Sequence, residues 1–192
     1  MSKKVPMKQS WTQDVFIKAW DFATLAHHGQ TYGGPNEGQR IDYINHVGAV
    51  TMEVIWALQF VNDCDGDLAI QCALLHDVVE DTEYTIESVA QRFGNSVADG
   101  VAALTKDKTL ATKQEQMADS LRRIREQPVE VWMVKLADRI TNLSEPPFYW
   151  SDEKKSAYRE EAVTIHRALH EANASLASRL SGKIEVYGQY IK

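Results

Sequence analysis

An all-α fold is predicted by three features of this 192-residue sequence. Apolar residues recur at helical spacing from end to end, no segment alternates like a half-buried strand, and the ten Gly and five Pro cluster mostly in a few turns. In order, Thr12 stands as an N-cap before Val15, Phe16, Ala19, Phe22, Ala23 and Ala26, and this helix ends near Gly29. Residues 30–40, QTYGGPNEGQR, read as a loop. A second helix begins within Tyr43–His46 and runs to about Val61. A third, LAIQCALLHDVVED, follows Asp65-Gly66-Asp67. Thr85 caps IESVAQRF, Gly94 ends it, and Asn95 or Ser96 starts the next helix through Leu104. TKDKTLATKQEQ reads as a loop entering a helix that stops before Pro128. A further helix runs from about Val129 to Leu143, where the proline pair of SEPPF breaks it. From Ser151-Asp152 the chain is helical, with a break expected at Ser181-Gly182. No internal repeat or interdomain linker is visible, so residues 1–192 read as one domain.

Composition narrows the function. With 44% apolar and 25% charged residues the chain builds a packed core. Cys64 and Cys72 are too few for a disulfide framework, which points to a reducing compartment. MSKKVPMKQSW lacks the apolar run of a signal peptide, and Glu53 and Gln59 interrupt the stretch Val47–Val61, so the cytoplasm is the expected location. A net charge of −6 disfavours nucleic-acid and membrane-surface partners, and the basic residues between Leu121 and Arg125 are local. An anionic small molecule then needs a metal ion or a local basic patch. Trp11, Trp20, Trp56 and Trp132 are expected in the core or at its rim, as is Trp150 unless its place beside the Pro-Pro turn makes it a stacking surface.

The chemistry concentrates in LLHDVVEDT. On one continuous helix, His76 and Asp77 approach a common ion from adjacent directions, while Glu80 and Asp81 lie one turn above them on the same face. Four ionisable groups behind Ala73-Leu74-Leu75 are costly to bury without a cation; the alternative is that Glu80 and Asp81 are solvated helix-end charges. His46 starts a helix after the Gly-rich loop. Asp138 interrupts the apolar face of VWMVKLADRITNL with Asn142 one turn later, and is either a ligand or a salt-bridge partner of Lys135 or Arg139. Two His and two Asp suit Mn²⁺, Fe²⁺ or Zn²⁺ with open positions for water. His166 and His170 are spaced to grip a metal but lack a carboxylate pattern, and a surface or core-edge role fits them better. His27 and His28 close the first helix, where its dipole accounts for them.

Together, H…HD…D resembles the HD-domain metal-dependent phosphohydrolases. AHHGQ, YINH, ALLHDVVEDT, RFGNSVADGVAALTKDKTL and VKLADRITNL resemble the hydrolase domain of RelA/SpoT proteins, in the single-domain form of the small alarmone hydrolases and the metazoan SpoT homologue. The likeness spans Phe16–Leu143 and, more loosely, the C-terminal helices over residues 151–192. It implies about ten helices and hydrolysis, usually with Mn²⁺, of the 3′-pyrophosphate of guanosine 3′,5′-bis(diphosphate) and related alarmones. Its implied ligands are His46, His76, Asp77 and Asp138, with Glu80 and Asp81 acting on the attacking water. Asn142 and Tyr158 would contact the nucleotide, and Lys106 and Lys108 the phosphates. The chain departs from this pattern where an Arg-Lys pair follows GQ in the family. Here Thr31-Tyr32-Gly33 stands, leaving Tyr32 to stack on a purine or Arg40 to substitute. Ser144-Glu145-Pro146-Pro147 replaces a basic, polar run, and Val47 replaces a proline. The alternatives are an HD phosphohydrolase for another nucleotide (an adenosine alarmone, the 2′-phosphate of NADPH, a deoxynucleotide) and a non-catalytic nucleotide sensor.

Overall fold

The computed structural model describes residues 11–192; the stretch read for a signal peptide lies, except for Trp11, outside them. The fold is all-α, with ten α-helices among the described residues. α1 spans Gln13–Ala26, α2 Tyr43–Leu58, α3 Gly66–Leu75, α4 Val78–Asp81, α5 Ile86–Phe93 and α6 Asn95–Leu104. α7 spans Lys113–Arg125, α8 Val129–Asn142, α9 Asp152–Leu169 and α10 Ala174–Tyr187. No helix among them is long and apolar enough to cross a membrane.

Caps account for most boundaries. Thr85 and Ser88 form a reciprocal capping box at α5, as do Thr112 and Glu115 at α7, and Asp65 accepts the Leu68 N–H at α3. Gly94 turns the chain between α5 and α6 at φ +90°, a conformation open to glycine. Thr12 precedes α1 as expected, yet its hydroxyl does not cap; its backbone N–H donates to Asp67 Oδ1 at 2.7 Å.

α8 is the axis of the core. Ten of its residues are buried, and it packs against α2, α3, α9 and α10. Its apolar positions Val131, Val134, Ala137 and Ile140 join Leu74, Leu75, Val50 and Leu180 in one hydrophobic cluster. The three helices that carry the candidate ligands are therefore fixed against one another by apolar burial.

Four expectations are corrected. LAIQCALLHDVVED is not one helix: α3 ends at Leu75, and His76-Asp77 form a turn before α4. His76 Nδ1–H donates to the Ala73 carbonyl at 2.8 Å, the acceptor the Asp77 N–H needs to continue the ladder. Residues 30–40 are not a plain loop, because β1 (Thr31–Gly33) and β2 (Arg40–Asp42) form an antiparallel hairpin pairing Tyr32 with Ile41. Three-residue strands are too short to show an alternating pattern. The C-terminal break falls at Asn173, not Ser181-Gly182: Asn173 accepts the Leu176 N–H to cap α10, whereas Gly182 sits inside that helix. Trp56 is 53% exposed, in edge contact with Phe60, and belongs to neither core nor rim.

Candidate metal centre and substrate cleft

Three elements bring the ligand candidates together. His46 lies in the first turn of α2, His76 and Asp77 in the turn after α3, and Asp138 in the last turns of α8. His46 and His76 are 7% and 3% exposed. Because the Nδ1–H of His76 goes to Ala73, its Nε2 carries the lone pair; it is buried with no hydrogen-bond partner. It faces Asp77 Oδ2 at 2.9 Å and Asp138 Oδ1 at 4.0 Å. His46 Nε2 lies 3.6 Å and 3.5 Å from the same two oxygens.

Acceptors facing acceptors require a positive charge between them. Donors about 2.1 Å from a shared divalent cation lie ~3.0–3.4 Å apart, close to these separations. Without a cation a proton takes that place: burial opposes charge on His76, but Asp77 and then Asp138 outweigh it and carry its pKa up to about 9. Burial likewise opposes ionisation of Asp77, yet His76 beside it holds that carboxyl well below the usual range. The residues present therefore fit a metal. Among the described residues, His46, His76 and Asp77 are the group of His, Cys or acidic side chains able to hold one, and Asp138 borders it.

Second partners hold the two carboxylates. Tyr43 Oη donates to Asp77 Oδ2 at 2.5 Å. Burial and then Asp77 push the Tyr43 phenol far up, so it stays a donor. Asp138 takes the Lys135 ammonium on Oδ2 at 3.0 Å and the Asn142 amide on Oδ1. Of its two possible salt-bridge partners, Lys135 is thus the one engaged. Arg139 instead pairs with Glu161 and stacks on the Tyr158 ring at 4.3 Å.

A cleft opens beside this centre in two joined chambers that share Tyr43, Asn142, Trp150 and Tyr158. The first, about 330 Å³, is aromatic, with Tyr32, Tyr149 and Trp150 in its lining. The second, about 510 Å³, holds Asp77, Glu80, Asp81 and Asp138 together with Lys106, Lys113 and Lys154. Glu80 and Asp81 differ sharply within it. Glu80 accepts the Lys106 N–H at 3.0 Å, and its carbonyl accepts from the Lys108 ammonium at 2.7 Å. Asp81 is exposed at the end of α4 and has no such tether among the described residues.

Other expected residues lie elsewhere. Arg40 is exposed on β2 and lines a separate groove with Trp20 and Ile41, so it does not replace the missing arginine of the aromatic chamber. Lys108 latches to α4 outside both chambers. His166 and His170 stack on each other 5.8 Å apart, away from the metal group. His27 is buried rather than a dipole-stabilised cation: burial lowers its pKa, and its Nδ1–H donates to Gln30 at 2.7 Å. Sequence reasoning missed Tyr43, Lys113, Lys154 and Tyr149. Only Tyr43 left a local signal, three residues before His46 and so on its helix face.

An all-helical frame with a buried His…His-Asp…Asp centre defines a metal-dependent phosphohydrolase type, and the chain belongs to the HD-domain family, whose profile matches residues 19–181. Membership implies a divalent cation at this centre. The sequence is similar to the guanosine-3′,5′-bis(diphosphate) 3′-pyrophosphohydrolase MESH1 of Drosophila melanogaster, at 30% identity over 86% of this chain and 90% of that protein. MESH1 of Homo sapiens is 33% identical over 85% and 89%. A solved metazoan ortholog of SpoT, described as hydrolysing ppGpp and playing a role in starvation responses, matches with a TM-score of 0.78 at 28% identity, covering 93% of this chain and 98% of that one.

Proposed function

We propose that this chain, acting as one domain, is a metal-dependent hydrolase that removes the 3′-pyrophosphate of guanosine 3′,5′-bis(diphosphate) and related alarmones. The observation that carries the reading is the buried Nε2 of His76, 2.9 Å and 4.0 Å from two carboxylate oxygens and beside a lysine-lined chamber. The activity named for the MESH1 relatives supports it. Mn²⁺ suits the borderline-to-hard donors His46, His76, Asp77 and Asp138, with Fe²⁺ or Zn²⁺ as alternatives. When bound, the cation supplies Lewis acidity and a water acidified toward neutral pH.

The chain's own residues do the rest. Asp81, unencumbered and solvent-facing, takes a proton from the attacking water at its carboxylate. Glu80 keeps the Lys106 loop against the chamber. Lys106, Lys113 and Lys154 offset the charge of the phosphates, and the aromatic chamber holds the nucleoside. Water oxygen bonds to the phosphorus attached to the 3′-oxygen and that P–O bond breaks. The 3′-oxygen takes up a proton from solvent and leaves as a hydroxyl, Asp81 gives its proton back to solvent, and pyrophosphate and guanosine 5′-diphosphate are released.

The test is pyrophosphate release from guanosine 3′,5′-bis(diphosphate) with Mn²⁺ and an EDTA control. Metal-dependent release is expected; none, with the cation bound, overturns the substrate assignment. A second reading, an HD phosphohydrolase for another nucleotide, draws on Tyr32-Gly33 standing where the resemblance expects Arg-Lys. A panel of adenosine alarmones, NADPH and deoxynucleotides separates the two.

A further inference from the structure

One cation of the lysine-lined chamber differs from the rest in what carries it. Lys113, Lys135, Arg139 and Lys154 reach the chamber from α7, α8 and α9, whereas Lys106 sits on the loop after α6. A long side chain on a loop is placed only as well as the backbone that bears it.

That backbone is held from outside the chamber. The α6 helix ends at Leu104, and its last carbonyls have no partners within the helix. Ser120 and Arg123, three residues apart on α7, supply partners. The Ser120 hydroxyl donates to the Ala103 carbonyl at 3.1 Å, and Nη1 of Arg123 donates to the Ala102 carbonyl. Nη2 of Arg123 donates to the Thr105 carbonyl at 2.8 Å, and its Nε donates to Asp119 Oδ2 at 2.7 Å. All three guanidinium nitrogens are engaged, and their rigid fork fixes the Ala102 and Thr105 carbonyls relative to each other.

The Thr105 carbonyl and the Lys106 N–H belong to one planar peptide unit. Arg123 holds its oxygen, while Glu80 Oε2 accepts its N–H at 3.0 Å. A plane held at both edges leaves little freedom to the Cα that follows it, so the Lys106 stem starts from a set place in a set direction. Arg123 itself lines neither chamber.

We propose that Arg123 is a positioning residue: by fixing the Thr105–Lys106 peptide from behind, it aims the Lys106 ammonium at the phosphates of the substrate. The assignment rests on the proposed hydrolase reading and adds to it a side chain that never meets the substrate.

The experiment is a double-mutant cycle of Arg123→Ala and Lys106→Ala, read as kcat/KM for guanosine 3′,5′-bis(diphosphate) on Mn²⁺-loaded protein. Lys106→Ala is expected to lose about tenfold and Arg123→Ala about fivefold, chiefly through KM. In the Lys106→Ala background, Arg123→Ala should cost less than about twofold, because the side chain it aims is gone. Arg123→Lys keeps a charge beside Asp119 but not the fork, and should fall between wild type and Arg123→Ala. Losses that multiply, as a purely structural contribution would give, or no loss in Arg123→Ala, overturn the proposal. If thermal unfolding shows that Arg123→Ala does not fold, Arg123→Lys takes its place in the cycle under the same criterion. If the wild type releases no pyrophosphate, the hydrolase reading fails. The cycle is then read as calorimetric Kd values for inorganic pyrophosphate on the same Mn²⁺-loaded proteins: an Arg123 effect that vanishes with Lys106 sustains the positioning role, and an independent effect or none ends it.

Discussion

The metal centre and the nucleoside chamber adjoin in space but are built in opposite ways. The centre hangs on α2, the α3–α4 turn and α8, whose inner faces share one apolar core, and His76, Asp77 and Asp138 each have a further hydrogen-bond partner. The chamber is closed by the β1–β2 hairpin, with strands of three residues each, and a loop carrying Phe148 and Tyr149, which are 54% and 61% exposed. Chemistry placed on rigid helices holds its geometry, whereas selectivity placed on loops can change without disturbing it.

Substitutions in the centre should have the largest effects. His76→Ala and Asp138→Ala should lose both the bound cation, measured by elemental analysis, and turnover by about 10³-fold or more, since no acidified water remains. Retained metal with full turnover in either would remove that residue from the ligand set.

Next, Asp81→Ala should keep the metal yet lose about 10²–10⁴-fold in kcat. Glu80→Gln preserves an acceptor for the Lys106 N–H, and its loss should be roughly tenfold or less. Steady-state kinetics on metal-loaded protein decide this. A larger loss at Glu80 than at Asp81 reverses their roles.

In the chamber the penalty should move to KM. Tyr32→Ala and Tyr149→Ala each remove a stacking surface, which should raise KM by roughly tenfold with cation affinity unaltered. Weakened metal binding in either variant would mean that the two regions are not separate.

The same contrast governs what the sequence made legible. His76 and Asp77 are neighbours, Asp138 and Asn142 are one turn apart, and apolar periodicity fixes the helix faces that bear them. The helix break at His76 was hidden because it arises from a side chain capturing the Ala73 carbonyl, which leaves the apolar pattern unchanged. The chamber unites Tyr32 with Tyr149 and Trp150 across more than half the chain. Strands of three residues and a proline-broken loop carry no periodicity that would announce the meeting. Lys113 and Lys154 reach the cleft from separate helices, and neither has a distinguishing neighbour in sequence.

The smallest effect tests the join between hairpin and loop. A Cβ at Gly33 would stand 3.1 Å from both Oη and Cε1 of Tyr149, so Gly33→Ala is tight against a ring that is 61% exposed and able to yield. The backbone at Gly33 does not have a positive φ, so the substitution acts through this contact alone. Tyr149 should retreat by a few tenths of an ångström, raising KM by about two- to fivefold with little cost in stability. Thermal unfolding and the cation Kd should match the wild type. A KM change as large as that of Tyr149→Ala would mean that the Gly33 contact itself seats the ring. No change at all would show that Tyr149 swings freely over the chamber and contributes its stacking only once a base has entered.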